Sequence, residues 1–289
     1  MMIQDIAPSR LDNHFVYSLP GPEDTALCFQ EGKLLCKYEE ETETLTFPSF
    51  REYGRDASGQ YLFSLSGAPY YLALSFSSVP SGYKWRALKE IQLFKRRDRG
   101  RVFAAYTAFH LWKWYETSRF CGRCGEETAF DQTERAKVCP RCGNRIYPRI
   151  NPAVIVGVVN GNKLLLTRYK TGFAHNALVA GFTEIGETAE QTVEREVMEE
   201  VGLRVKNIRY YKSQPWGSAS DLLMGFFCDV DGTDEIKRDD SELGSAKWVE
   251  AKDIVPQPTD DSLTNEMMKL FKEFGPDATW KKEERADRK

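Results

Sequence analysis

The chain lacks any run of roughly 18 apolar residues, which excludes a membrane-spanning helix. Its opening, MMIQDIAPSRLDNHF, has neither the basic start nor the apolar core of a signal peptide. An excess of positive charge is also missing. Lys and Arg number 40 against 43 Asp and Glu, a net charge of -3, so no overall field draws nucleic acid or an acidic membrane. Histidine is scarce, with 3 in the chain. His14 and His110 stand alone and read as structural residues rather than ligands. Seven cysteines are an odd number. Without a secretion signal they argue for reduced thiols and metal ligands rather than disulfides, and for the cytoplasm.

What is present is enough to build cores. The 289 residues are 41% hydrophobic, which suggests about two domains. Residues 1 to about 90 read as short strands broken by turns: HFVYSL, ALCFQ, KLLCKY, TLTF, YLFSL and YYLALSF. Gly32 sits in the turn of a hairpin, flanked by Cys28 and Cys36, which read as buried structural thiols. From about Arg99 to Arg119, Val102, Tyr106, Phe109 and Trp112 or Trp114 recur at helical spacing. The aromatic run there reads as a packed helix between domains rather than a stacking surface for bases.

Cys121-x2-Cys124, fourteen residues, then Cys139-x2-Cys142 follow. Each pair brings two thiolates to one tetrahedral ion. Four such ligands indicate a structural Zn²⁺ with no open coordination position. The ribbon is expected to brace its neighbours. Its basic residues, Arg123, Lys137, Arg141, Arg145 and Arg149, are diluted by Glu126, Glu127, Asp131 and Glu134.

Beyond Pro148 and Pro152, AVIVGVV reads as a buried strand and KLLLTRY as its return after NGNK. RVKNIRYYKSQPW and DLLMGFFCDV are further strands, KWVEAKDI is a strand-to-helix corner, and SLTNEMMKLFKEF is a closing helix. Strands with one central and one terminal helix give a mixed sheet in an α/β sandwich. Cys228 reads as packing. The final PDATWKKEERADRK reads as a frayed, charged tail.

Between these strands lies GFTEIGETAEQTVEREVMEEVGL, residues 181–203. Thr188 and Gln191 form a capping box that opens a helix, and Gly202 closes it. Glu196, Glu199 and Glu200 stand at i, i+3 and i+4, so the three carboxylates share a face beside a stripe of Val193, Val197 and Val201. Three like charges are costly together unless a cation binds. Oxygen-only ligands of this kind suit Mg²⁺ or Mn²⁺. Gly181, Glu187, Arg195, Glu196, Val197, Glu199, Glu200, Gly202 and Leu203 fill one fixed pattern, with chance odds on the order of 10^-7.

That pattern resembles the Nudix box. The resemblance implies a metal-dependent hydrolase that cleaves a nucleoside diphosphate linked to another group. Glu196, Glu199 and Glu200 would hold the metal, and Glu199 or Glu200 would position or deprotonate the attacking water. Arg195 and Glu187 would pair to fix the loop. Four ribbon cysteines joined by YPRxxPAVI to such a domain, with SQPW after the box, resemble the NADH pyrophosphatase (NudC-type) family over about residues 85 to 275.

The narrower resemblance implies an α+β/α/β chain. Its parts would be an N-terminal mainly-β domain (1–117), a zinc ribbon (118–147), a Nudix α/β/α sandwich with a mixed sheet (148–275) and a tail (276–289). It implies hydrolysis of NAD⁺ or NADH at the diphosphate, to nicotinamide mononucleotide and AMP, by a homodimer, with NAD-capped RNA as a further substrate. Tyr147 and Phe182 would meet a nucleotide base, Ala180 would offer backbone near the metal, and Glu242 would add a ligand. Arg86 would match a substrate-contacting arginine, and Thr264 stands at a substrate-binding position where the family usually has a small Ala. Ser213, Gln214, Pro215 and Trp216 match the start of the family's SQPWPFPxS segment, but Gly217, Ser218, Ala219, Ser220 and Asp221 depart from its remainder. The change removes two prolines and a Phe face and adds a negative charge. Specificity is therefore open between NAD(H), ADP-ribose and other dinucleotides. A nucleotide-sensing regulator is a competing class, disfavoured because every box glutamate is kept.

Overall fold

The computed structural model describes residues 2–96, 98–172 and 175–279. They form two compact units, one of Gln4–Arg149 with Trp216–Ser220, the other of Ile150–Pro215 and the described chain from Asp221, together with Met2 and Ile3.

The N-terminal unit carries β1 Leu11–Asp12, β2 Thr25–Leu27, β3 Phe29–Gln30, β4 Lys33–Glu39, β5 Thr44–Thr46, α1 Phe50–Tyr53, β6 Ser58–Leu65, β7 Ala68–Ser75, β8 Lys84–Ala87, α2 Leu88–Ile91 and α3 Arg99–Thr117. One sheet runs β1-β6-β7-β2. The other runs β3-β4-β5, with β8 on β4. The stretch expected as a strand from His14 to Leu19 is not one. Its Val16, Tyr17 and Leu19 are exposed, so no covered face rewards alternation there. Strand β8 lacked a clear alternating signal and went unforeseen. Helix α3 is capped by Asp98, which accepts from the Arg101 N–H. Its aromatic residues pack inward, Trp112 stacking on Phe29 at 5.1 Å between centroids.

The ribbon belongs to this unit, with β9 Ala129–Phe130, β10 Lys137–Val138 and β11 Arg145–Ile146 in one small sheet. Phe130 meets Tyr115 of α3 edge-on at 5.2 Å. Arg135 donates to the Leu62 carbonyl of β6 at 2.6 Å.

The second unit carries β12 Asn151–Asn160, β13 Lys163–Tyr169, β14 Val179–Phe182, α4 Ala189–Val201, β15 Arg204–Trp216, β16 Asp221–Asp231, β17 Leu243–Glu250 and α5 Leu263–Phe274. The sheet order is β15-β16-β12-β13-β17, with β14 also on β12. It is mixed, because β12 and β16 run parallel while β13 and β14 oppose β12. Strand β12 alternates. Val154, Val156 and Val158 pack with the Val193, Val197 and Val201 stripe of α4. Ile155 and Val159 pack with Leu263, Met267, Met268 and Phe271 of α5. Both faces of β12 are thus covered, which is why it reads as a continuous apolar run. The result is the α/β/α sandwich expected. Of the charged tail, 276–279 lie in a single 3-10 turn and the remainder lies outside the described residues.

No helix among the described residues is long and apolar enough to cross a membrane.

Candidate active site

The four ribbon cysteines converge. Their sulfurs all lie within 4.8 Å of one another. Cys121–Cys142, Cys124–Cys139 and Cys124–Cys142 are 3.7, 3.4 and 3.6 Å apart. A tetrahedron with Zn–S bonds of about 2.3 Å has sulfur–sulfur edges of about 3.8 Å, so the set fits Zn²⁺. The Gly125 N–H closes on the Cys121 carbonyl and the Gly143 N–H on that of Cys139, so the two knuckles repeat one turn. Backbone N–H groups of Arg123 and Cys124, with neighbouring thiols, hold the Cys121 thiol down, whereas, against the Glu126 backbone N–H, Cys139, Cys142 and Cys121 push the Cys124 thiol up. Thiolate is the ligand form.

The glutamate helix begins as its sequence dictates. Thr188 Oγ1 accepts from the Gln191 N–H at 3.2 Å, and Gln191 Oε1 accepts from the Thr188 N–H at 2.8 Å. Its other end is Gly202 at φ 68°, whose N–H returns to the Met198 carbonyl. Upstream, Arg195 grips Glu187 in a two-pronged pair, Nε–Oε1 2.6 Å and Nη2–Oε2 2.9 Å. The Glu184 N–H and Thr192 Oγ1 complete the carboxylate's shell. This shell, led by Arg195, holds Glu187 down to about 2. Arg195 Nη2 also donates to the Phe182 carbonyl at 2.8 Å, tying β14 to α4.

The three helix glutamates differ sharply in surroundings. Glu199 has 60% of its side chain exposed, whereas Glu196 has 13%. Glu200 is buried at 3%. Glu196 packs where residue 181 would carry a Cβ, with its carboxylate 1.9 to 2.2 Å from that point. Only glycine permits this approach. Arg195 Nη1 donates to Glu196 Oε1 at 2.7 Å and to Glu199 Oε2 at 2.9 Å, so a cationic group already bridges two of the carboxylates. Glu200 Oε1 accepts from the Ala180 N–H at 3.3 Å, but Oε2 is buried with no partner. Burial chiefly, then the carboxylates of Glu242, Glu196 and Asp239, push the Glu200 carboxyl up to about 8, against the lowering by the Ala180 N–H. Burial likewise raises Glu196. A buried carboxylate oxygen with no donor, among further carboxylates, could accept a hard cation.

Glu242 joins this group from the loop before β17, since its charge raises both Glu200 and Glu196. Tyr169, at the end of β13, feels the same three carboxylates after its own burial and is raised above the usual tyrosine range. Sequence reading missed Tyr169, which carries no local signal beyond a strand end.

The remaining positions separate. Phe182 follows Gly181 with its ring 55% exposed. Tyr147 is 54% exposed, its hydroxyl fixed on Glu134 Oε1 at 3.0 Å. Arg86 lies on β8 with its guanidinium over the Phe94 ring at 5.3 Å, and Thr264 is half-buried in the first turn of α5. Gln214 is wholly buried. Its Nε2 donates to the Asp261 carbonyl and its Oε1 accepts from the Leu263 N–H, both at 2.7 Å. The amide thus secures the start of α5 rather than facing a ligand. Pro215 and Ala219 are exposed, while Trp216 and Ser218 are half-buried. Trp216 and Ala219 close a turn, the Ala219 N–H on the Trp216 carbonyl. Ser220 holds φ 68°. Asp221 is buried and accepts from Asn151 Nδ2 at 3.2 Å.

Residues 149–271 match the family model described as NUDIX domain, and residues 116–147 that described as NADH pyrophosphatase zinc ribbon domain. Among curated proteins, the NAD-capped RNA hydrolase NudC of Yersinia pestis (strain Pestoides F) is 43% identical over 154 residues, 52% of this chain and 58% of that one. The NudC of Yersinia pseudotuberculosis serotype O:1b (strain IP 31758) matches to the same extent. The match therefore spans a little over half the length of these relatives. A NUDIX hydrolase structure from Nitrosomonas europaea is similar at a TM-score of 0.47 and 24% identity, over 54% of this chain and 90% of that one.

Proposed function

We propose that the chain, whose residues 116–147 match the NADH pyrophosphatase zinc ribbon model and 149–271 the NUDIX model, hydrolyses the diphosphate of NAD⁺ or NADH, releasing AMP and the nicotinamide mononucleotide. The observation that carries the proposal is the buried, partnerless Oε2 of Glu200 beside Glu196 in the Gly181 notch. Glu196, Glu199 and Glu200, with Glu242 and backbone near Ala180, would hold Mg²⁺ or Mn²⁺. Such an ion supplies charge against the diphosphate and a more acidic water. Arg195 and Glu187 keep the loop and α4 in register, so the carboxylates keep their spacing. Glu199 or Glu200 takes the proton of the attacking water. One is exposed and the other buried, and comparing Glu199→Gln with Glu200→Gln assigns the role.

The exposed rings of Tyr147 and Phe182 are flat faces suited to a nucleotide base. NAD-capped RNA is the second reading, supported by the name of the curated relatives. We propose a cytoplasmic protein, since four of its seven cysteines are gathered as metal ligands rather than paired as disulfides, and a homodimer, which sedimentation would check. Arg86, Thr264, Pro215, Trp216 and the Gly217–Asp221 segment are the proposed determinants of substrate choice.

The test incubates zinc-loaded protein with NADH and Mn²⁺ and separates the products. We expect nicotinamide mononucleotide in its reduced form and AMP, with Glu200→Gln slower by at least about 10²-fold. Unchanged turnover in that variant would refute the site. Running NAD⁺, ADP-ribose, diadenosine diphosphate and NAD-capped RNA in parallel ranks the substrates.

A further inference from the structure

The segment that brings Glu242 to the other carboxylates is held by a residue outside the glutamate pattern. The Lys237 N–H donates to the Val201 carbonyl at 2.9 Å, and the Asp239 N–H to the Glu200 carbonyl at 2.8 Å. These are two of the carbonyls that the end of α4 leaves without helical partners. The approach is close, since a Cβ on Gly202 would lie 2.7 Å from the Lys237 Cβ. From there Asp239 folds the chain back on itself. Its Oδ1 accepts from both the N–H and the hydroxyl of Ser241, each at 2.7 Å, and its carbonyl accepts from the Leu243 N–H at 3.0 Å. Leu243 is fully buried in the α4-side core. The Glu242 carbonyl, between these anchors, accepts from the Lys170 N–H at 3.0 Å. Arg238 closes the outside of the loop on the Gly244 carbonyl and the Asp240 carboxylate.

We infer that Asp239 is a positioning residue, which ties the main chain of Glu200 to the turn that carries Glu242 and so fixes Glu242 beside the buried carboxylate. The inference rests on the proposed cation site. Asp239 contributes through its backbone N–H on the Glu200 carbonyl and through Oδ1 on Ser241. Fixing a distant ligand in this way restrains the loop before a cation arrives, so less ordering is needed on binding. Asp239 also adds negative charge near Glu200, so a charge effect has to be separated from positioning.

The experiment measures Mn²⁺ affinity of the full zinc-loaded chain by the EPR signal of free Mn²⁺, with Kd as the readout besides turnover. Four proteins are compared with the native chain: Asp239→Ala, Asp239→Asn, Glu242→Gln, and Asp239→Ala combined with Glu242→Gln. Thermal melts check that each folds. Glu242→Gln is expected to weaken Mn²⁺ binding, and Asp239→Ala to weaken it by about 10-fold or more. Asp239→Asn keeps an acceptor oxygen for Ser241 and is expected to restore most of the loss. In the Glu242→Gln background, Asp239→Ala is expected to add little, because its effect passes through Glu242. A full effect of Asp239→Ala in that background, or an Asp239→Asn as weak as Asp239→Ala, would overturn positioning in favour of charge. A Glu242→Gln with native affinity would instead remove Glu242 from the cation site and overturn the reading on which the inference stands. If Asp239→Ala melts too low to measure, Ser241→Ala, which removes only the hydroxyl contact, takes its place. Native affinity there, with Glu242→Gln still weakened, also counts against the inference.

Discussion

At the scale of single residues, environment divides three chemically identical side chains. Glu196, Glu199 and Glu200 share one helix face, yet only Glu200 is deep enough for burial to carry its carboxyl up to about 8 from an ordinary 4.5. The sign of the resulting pH effect is fixed. Between these values the folded chain binds a proton that the unfolded chain releases, so the group's contribution is fully present below about 4.5 and is lost as pH rises through about 8. Zinc-loaded protein without added Mg²⁺ or Mn²⁺ should therefore lose thermal stability from pH 5 to pH 9. Glu200→Gln should lose less over the same range, as melting curves at the two pH values will show. Equal losses in both proteins would mean that Glu200 is not a raised acid.

At the scale of elements, the turn Trp216–Ser220 shows why a local sequence change is not interchangeable. The family resemblance places proline at 217, but here a Cβ at Gly217 would lie 2.3 Å from the Tyr106 carbonyl oxygen and 3.0 Å from its carbon. Those are backbone atoms of α3 and cannot swing aside. Trp216 lies over Tyr106 of the same helix, 6.3 Å between ring centroids. Gly217→Pro or Gly217→Ala should therefore destabilise the protein by about 1–3 kcal/mol, read as a lower denaturant midpoint at unchanged slope. A neutral Gly217→Pro would show that the turn and α3 part at little cost. The same element argument explains Gln214. Its side chain replaces a helix cap for the Leu263 N–H, a task that no linear motif announces.

At the scale of the molecule, the ribbon is part of the N-terminal unit's own structure. Thr128 Oγ1 donates to the Ser118 carbonyl at the end of α3, and Arg135 reaches the Leu62 and Asn13 carbonyls. The Lys137 ammonium, buried, sits 3.9 Å above the Phe130 ring. Structural zinc in small domains contributes on the order of 10 kcal/mol of apparent binding energy. Cys124→Ser should release zinc and strip hydrogen-exchange protection from Lys137 and Val138 first, and then from the strand around Leu62. Exchange mass spectrometry would read this. Protection that persists at Lys137 without zinc would mean the ribbon folds on its packing alone.

Sequence alone determined the features whose physics is local. Two Cys-x2-Cys turns set thiolates at a spacing that suits one ion, and Thr188 with Gln191 satisfies the first N–H groups of α4 within a single turn. Three glutamates at i, i+3 and i+4 share a face whatever surrounds them, and the unbroken apolar run along Val154–Val159 marks a strand covered on both sides. The tertiary structure decided what depends on burial and on distant neighbours. It set Glu200 inside and Glu199 outside, turned Gln214 inward, and left the expected His14–Leu19 strand unpaired. It also laid Gly217 against α3 and folded Asp239 onto the end of α4. Desolvation, close backbone approach and hydrogen bonds between residues far apart in the chain exist only once the layers have packed.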